Sequence, residues 1–290
     1  MAQHPVGRSG GLVSVAVERP ADGDEVLEHL DLGDIGAQRR RRLTMIRACS
    51  IVVTLVLWEV FGRQVNPLFM SYPSKIVLGA VELARAGVLQ EALLESLRTL
   101  VLGYTGGALF GIAAGLVLGR YPALEAAFDW LVNALYATPL VAVIPLVILW
   151  FGLGFTAKLF VVFLFTVFSV LINTATGVKN VSRSLIDVGV AFVASEGQIF
   201  TKIILPASLP YIMAGLRLGI GRAIIGMVVA EFLTAISGLG GLVVKYGNQF
   251  RTDEMLVPVL ILMALGVILT ALLQRAEKAI APWKQTEQND

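Results

Sequence analysis

Arg217, Arg222 and Glu231 stand inside a stretch, 209–235, that is otherwise almost wholly apolar. A charge at membrane depth is costly, so such residues are candidates for ion pairing, gating or contact with a passing solute. Arg217 and Arg222 lie toward the first end of the stretch, where long side chains can reach headgroups or pack against neighbouring helices. Glu231 lies toward the other end and is the candidate for a gate or a buried ion pair. Two other apolar runs carry polar groups, Asn133 and Thr138 in one, Asn173 and Thr174 in the next. Pro139 and Pro145 remove backbone donors from the first of these, and irregular backbone at that depth is tolerated only beside protein or water. The pattern fits a solute path over Asn133, Thr138, Pro139, Pro145, Asn173 and Glu231; the other reading is a packing kink whose polar groups bond to adjacent helices. Absences narrow the chemistry further. Both histidines, His4 and His29, fall in the polar N-terminal stretch, and the single cysteine is Cys49. Imidazole acid–base chemistry, a disulfide framework and a multi-cysteine metal site are thereby disfavoured in the apolar body, and no metal is expected.

These residues imply a bilayer around them. The 290 residues are 56% hydrophobic and 15% charged, against about 25% charged in soluble domains. A spanning helix needs about 20 mainly apolar residues. Six runs qualify, at about 44–61, 98–119, 129–151, 157–177, 209–235 and 255–273. The expected fold is all-α, a polytopic membrane protein with six transmembrane helices. Residues 1–42 read as a polar, disordered tail, 43–282 as the transmembrane domain and 283–290 as a second tail. No apolar core follows a short basic start, so the first tail is not a signal peptide. The basic cluster Arg39–Arg42 with Arg47 precedes the first run and places the N-terminus in the cytoplasm; an even span count puts both termini there. Trp58, Glu59 and Arg63 after the first run, and Arg275, Lys278, Trp283 and Lys284 after the last, are interface-type residues.

Two further patterns concern architecture. In the connection 62–97, Ile76, Val77, Ala80, Leu83 and Ala84, followed by Val88, Leu89, Leu93 and Leu94, recur at helical spacing. They predict an amphipathic helix, either lying at the outer surface or packed on the bundle. The second run holds Gly103, Gly107, Gly111, Gly115 and Gly119, a ladder that lets another helix approach closely, within the chain or across a dimer.

The connection 178–208 is too long for a simple turn. Leu185, Ile186, Val188, Phe192 and Val193 recur at helical spacing beside Asp187 and Glu196. The spacing predicts a short surface helix, a turn near Ser195–Gly197 and a second helix ending at Leu205–Pro206. Such an element can press its apolar face into a soluble partner.

The same segment resembles the signature of ATP-binding-cassette importer permeases, E-A-A-x3-G-x9-I-x-L-P. Ile203, Leu205 and Pro206 match its tail; Asp187 falls on the acidic position, Val188 and Gly189 on the alanines and Val193 on the glycine. W-F-G-L-G at Trp150–Gly154, L-P-x3-P-x4-G-L-R at Leu205–Arg217, Glu231, and G-L-G at Gly238–Gly240 also match, so the resemblance runs from about residue 70 to the C-terminus. It looks like the branch that handles sulfonates, taurine, nitrate and related small solutes. The resemblance implies a bacterial cytoplasmic (inner) membrane and a cytoplasmic coupling helix between spans four and five that docks in a groove of an ATPase subunit. Leu185, Asp187, Gly189, Val193, Ser195, Glu196, Gly197, Ile203, Leu205 and Pro206 would form that ATPase-coupling loop. The implied partners are cytoplasmic ATPase subunits, an extracytoplasmic solute-binding protein and a second copy of the chain, with no nucleic acid. No G-x4-G-K-[ST] loop occurs, so no cofactor is expected on this chain. ATP and Mg would sit on the partner ATPase, and this chain is not expected to be an enzyme. The alternative is a stand-alone secondary carrier or channel, which should show a coupling charge at midplane or repeat symmetry between halves; neither is evident. An intramembrane enzyme needs paired catalytic groups, and the six apolar runs carry no histidine and no carboxylates spaced (i, i+4).

Overall fold

The computed structural model describes residues 32–234 and 237–280. The regular structure of those residues is helical. Helix α1 (Leu32–Gln64) contains a stretch, 41–64, long and apolar enough to cross a membrane. Residues 32–42 of the expected tail therefore lie in a helix; residues 1–31 and the second tail at 283–290, with Trp283 and Lys284, lie outside the described residues. The last turns of α1 are tied to the connection that follows. Trp58 Nε1 donates to the Ser71 carbonyl at 3.0 Å, and the Glu59 carboxylate accepts the Ser74 N–H at 3.0 Å.

Helix α2 (Pro73–Arg85) begins with proline at its first position, where a missing N–H costs nothing. Its buried face, Ile76, Gly79 and Leu83, packs on the bundle, which settles the two sequence readings in favour of packing. It stops at Gly87, whose φ of 75° breaks the helix. Val88–Leu94 consequently belong to α3 (Val88–Arg120), ten residues longer at its start than the apolar run suggests.

Helix α3 lies against α6 (Phe155–Lys179) through the glycine ladder. A Cβ on Gly103 would meet Val162, on Gly107 Thr166, on Gly111 Val170, on Gly115 Thr174 and on Gly119 Val178, each within 2.6–2.9 Å. The ladder is therefore an intramolecular contact. Its partners advance by four residues as the glycines do, so α3 and α6 run parallel.

That parallelism dictates the path between them. The chain leaves α3 at the end that carries the 180–195 connection (the loop end) and enters α6 at the opposite end. It must cross in between. The crossing is made by α4 (Pro122–Ala137) and α5 (Leu140–Phe151), a single span bent by 98° at Thr138–Pro139. The expected run 129–151 is thus not one helix. Proline constrains the residue before it and lacks a donor, and the chain turns at Pro139; Pro145 stays inside α5.

Helix α7 (Arg183–Ala191) and a four-residue turn α8 (Glu196–Ile199) follow at the loop end. The second helix of this connection does not end at Leu205–Pro206 as expected. It passes through a π-helical turn, Phe200–Ile204, into α9 (Leu205–Leu233). Pro206 supplies no N–H to the carbonyl of Lys202, and the ladder widens so that Leu205 N–H bonds Phe200 O instead. Helix α9 runs antiparallel to α6, with Gly215 against Asn173 and Val170 and Gly226 against Phe165. Helix α10 (Gly238–Asn248) then packs with α2 at the far end, the cap end, and α11 (Thr252–Ile280) returns beside α9. Leu100, Val162, Ile220, Ala223 and Met227 form the core where α3, α6 and α9 meet.

Candidate functional site

The loop-end connection is a folded two-helix element. Gly189 on α7 is buried, and a Cβ there would lie 2.7 Å from Ile203 Cδ1. The head of the sequence motif thus rests on its tail, which explains why the spacing between them matters. Ile186, Ala194, Ile199 and Ile204 fill the seam against Val178 and Val181 at the end of α6.

The turn after α7 has a defined form. Val193 N–H bonds Val190 O at 2.9 Å and Ala194 N–H bonds Gly189 O at 3.0 Å, the paired bonds of a Schellman cap. That cap requires a left-handed residue at position 193, where φ is 55°. Valine, β-branched, occupies the position at which the family signature carries glycine, so the turn geometry is retained at a cost in strain. The next helix starts at once: Ser195 Oγ accepts the Gln198 N–H at 3.3 Å and Ser195 N–H bonds Gln198 Oε1 at 2.9 Å, a reciprocal capping box. Glu196 pairs with Arg120 at 3.2 Å, and Gly197 accepts the Thr201 hydroxyl through its carbonyl at 2.7 Å. Asp187 is exposed, as are Leu185, Val188, Phe192 and Val193, the last two 82% and 91% accessible. Leu205 and Pro206 are half-buried at the start of α9.

The polar residues assigned to a solute path do not form one cluster. Asn133 is exposed on α4 and donates to the Asp129 carbonyl at 2.9 Å; it borders a small cavity of about 50 Å³ beside the Lys179–Glu125 ion pair. Thr138 donates to the Ala134 carbonyl at the bend, and Pro139 is exposed there. Pro145 is exposed on α5. Asn173 donates to the Ser169 carbonyl at 2.8 Å and packs on Gly215. Glu231 sits apart from all of these, at the cap end.

There Glu231 is fully buried. Its carboxylate accepts the Ser96 hydroxyl at 2.5 Å and the Gly240 N–H at 2.7 Å, while Ser96 Oγ accepts the Leu239 N–H at 2.8 Å. Beside it, buried Lys158 pairs with Glu95 at 2.9 Å, and Ser237 bonds both Lys158 and Glu95. Four elements, α3, α6, α9 and the start of α10, are tied together by these groups. Sequence reading named Glu231 but not Glu95, Ser96, Lys158 or Ser237. A signal was present: Lys158 is the one charge in the apolar run 155–178, a placement that demands a partner.

Arg217 and Arg222 both bond into the protein. Arg217 pairs with Glu277 at 3.4 Å. Arg222 Nη2 donates to the Tyr136 hydroxyl at 2.7 Å, with its guanidinium 4.5 Å from the centre of that ring.

The sequence as a whole has clear relatives. The family described as binding-protein-dependent transport system inner membrane component matches residues 107–285. The taurine transport system permease protein of Escherichia coli (strain K12) is 29% identical over 249 residues, covering 84% of this chain and 90% of that one. The aliphatic sulfonates transport permease protein of Bacillus subtilis (strain 168) is 31% identical, covering 81% and 86%. The formylaminopyrimidine transport permease protein of Halalkalibacterium halodurans is 28% identical, covering 81% and 94%. Among solved structures, an inward-facing form of the MetNI methionine ABC transporter superposes with a TM-score of 0.61 at 18% identity, over 68% of this chain and 98% of that one.

Proposed function

The chain belongs to the binding-protein-dependent transport system inner membrane component family and is an ABC importer permease; on that premise we propose that two copies form the path for a small solute driven by separate ATPase subunits. The ATPase subunits dock at the loop end, which is cytoplasmic, in the inner membrane of a bacterium with both termini inside. ATP and Mg are bound by those subunits. An extracytoplasmic binding protein delivers the solute at the cap end, and the names of the relatives support a sulfonate- or taurine-type solute. A stand-alone carrier or channel is not favoured, since both fold and family are those of importer permeases.

The observation that carries this reading is the loop-end element. Phe192 and Val193 project from a rigidly capped turn with almost their whole surface free. Apolar side chains held out in this way are anchors for a partner's groove. The element is also mechanically continuous with a span, because Glu196–Leu233 forms one rod of 38 residues through the π turn. At about 1.5 Å per residue, a push at Glu196 is delivered along some 50 Å of helix. The far end of that rod is Glu231 and its bonds to α3 and α10. Closure of the ATPase pair would thereby rock α9 against α3 and α6 and open the path toward the cap end.

The test is co-purification of the tagged chain with its ATPase subunits in mild detergent. A two-to-two complex is expected, with Phe192→Asp weakening ATPase retention by about tenfold or more while the chain keeps its own elution profile. A folded wild-type chain that retains no ATPase from its own cell would overturn the proposal.

A further inference from the structure

We infer that Arg222, held against Tyr136, lines the aqueous solute path and makes contact there with a small organic oxyanion, a sulfonate or carboxylate; the inference rests on the permease reading above.

The first argument is depth. One turn to either side of Arg222, Gly219 meets Thr166 and Val170, and Gly226 meets Phe165. Arg222 therefore lies level with the middle of α6, whose 25 residues span the bundle. At about 1.5 Å per residue the ends of α6 are about 18 Å away in each direction, too far for a side chain already turned onto Tyr136 to reach headgroups. A guanidinium at this depth does not face hydrocarbon.

The second argument is what surrounds it. Tyr136 is in the last turn of α4, immediately before the 98° break at Thr138–Pro139. Broken backbone at membrane depth lies only against protein or a water-filled cavity, which excludes lipid from the same place independently of the arginine. Yet the surface is uncovered in the single chain. Leu218 and Ile225, flanking Arg222 on α9, are exposed, Gly221 has open space beside it, and Pro139, at the break that follows Tyr136, is exposed too. An aqueous path between two copies satisfies both conditions.

The third argument is charge. Arg217 is neutralised by Glu277, and Lys158 by Glu95. Among the described residues no carboxylate pairs with Arg222; its bonds are to a phenol hydroxyl and a ring face. The tyrosine orients the guanidinium through one nitrogen and leaves its remaining donors available. A planar fork of N–H groups with no resident anion suits an oxyanion. This selects the sulfonate-bearing solutes named for the taurine and aliphatic-sulfonate relatives over a pyrimidine-type one.

The experiment uses the complete complex in lipid nanodiscs, with Cys49→Ser and a single reporter, Leu218→Cys, one turn from Arg222. Two membrane-impermeant thiol reagents are compared, sulfonatoethyl and trimethylammonioethyl methanethiosulfonate. The reporter should react with both, and Arg222→Gln should lower the sulfonate-to-ammonium rate ratio by about tenfold. Arg222→Lys, which keeps the charge, should preserve the ratio. A reporter that neither reagent reaches, or a ratio that ignores Arg222→Gln because another group neutralises the arginine, would overturn the inference. ATPase retention is scored on the same sample, so a complex that forms but fails these labelling tests rejects the anion contact alone, and charge-dependent labelling without a bound ATPase supports it while rejecting the importer reading.

Discussion

Ser96 and Glu231 meet at 2.5 Å in the interior, a hydroxyl donating to a carboxylate with no exposed surface, although 135 residues separate them in the chain. The same hydroxyl oxygen accepts the Leu239 N–H, so one side chain joins α3, α9 and the first turn of α10. Removing it leaves a buried acceptor and a buried backbone donor unpaired at once. Ser96→Ala should therefore destabilise the chain by about 1–3 kcal/mol or more, since one stranded group is a carboxylate. A lowered midpoint of thermal unfolding in detergent checks this. A midpoint unchanged from wild type would show that the three elements are held by other contacts.

The glycine ladder gives a position-specific expectation. A Cβ at Gly111 would stand 2.8 Å from the Val167 carbonyl oxygen and 2.9 Å from Val170 Cβ, both parts of a packed helix that cannot retreat. Gly111→Ala should cost about 1–3 kcal/mol by forcing α3 and α6 apart. Gly106, off the ladder, has only Phe163 Cδ2 at 3.8 Å. Gly106→Ala should be neutral or slightly stabilising, because alanine is the better helix former by about 0.8–1 kcal/mol. Unfolding midpoints measured side by side should fall for Gly111→Ala and stay level or rise for Gly106→Ala; equal losses would mean the ladder is not the helix contact.

Val193→Gly tests the strained cap. Valine in the left-handed region costs about 1–2 kcal/mol, part of which glycine gives back through its more flexible unfolded chain. Amide exchange at Ala194, whose N–H bonds Gly189 O, should slow in the variant. Faster exchange would indicate that the valine side chain, not the cap, holds the turn. Retention of the ATPase should nevertheless fall, because an apolar contact surface is lost with the side chain.

Much of this molecule was legible before any coordinates. Apolar runs of spanning length mark the candidate crossing segments among the described residues, one of them a helix pair bent at Thr138–Pro139, because a helix satisfies its backbone internally in a bilayer. The signature residues from Asp187 to Pro206 mark a two-helix loop-end element, and Gly189 against Ile203 supplies the reason for their spacing. Boundaries were less legible. The start of α3 at Val88 is hidden because its first turns carry Gln90, Glu91 and Glu95, and the passage through Leu205–Pro206 is hidden because proline ordinarily stops a helix. The solute-path residues show the other limit. Asn133, Asn173 and Glu231 are each polar within apolar runs, but their depth and facing are set by which helices lie alongside.

By itself, then, the sequence determined that this is a multi-span helical membrane protein of the importer permease type, because hydrophobic length and local motif spacing are written along one chain. Only the tertiary structure decided that the glycine ladder faces α6, that Lys158 belongs with Glu95 and Ser237, that Glu231 bonds α3 and α10 at the cap end, and that Arg222 stands level with the middle of α6 beside the bend between α4 and α5. Those are relations between residues tens of positions apart, fixed by parallel and antiparallel helix registers. No local pattern encodes them; the close packing that produces them exists only once the helices have met.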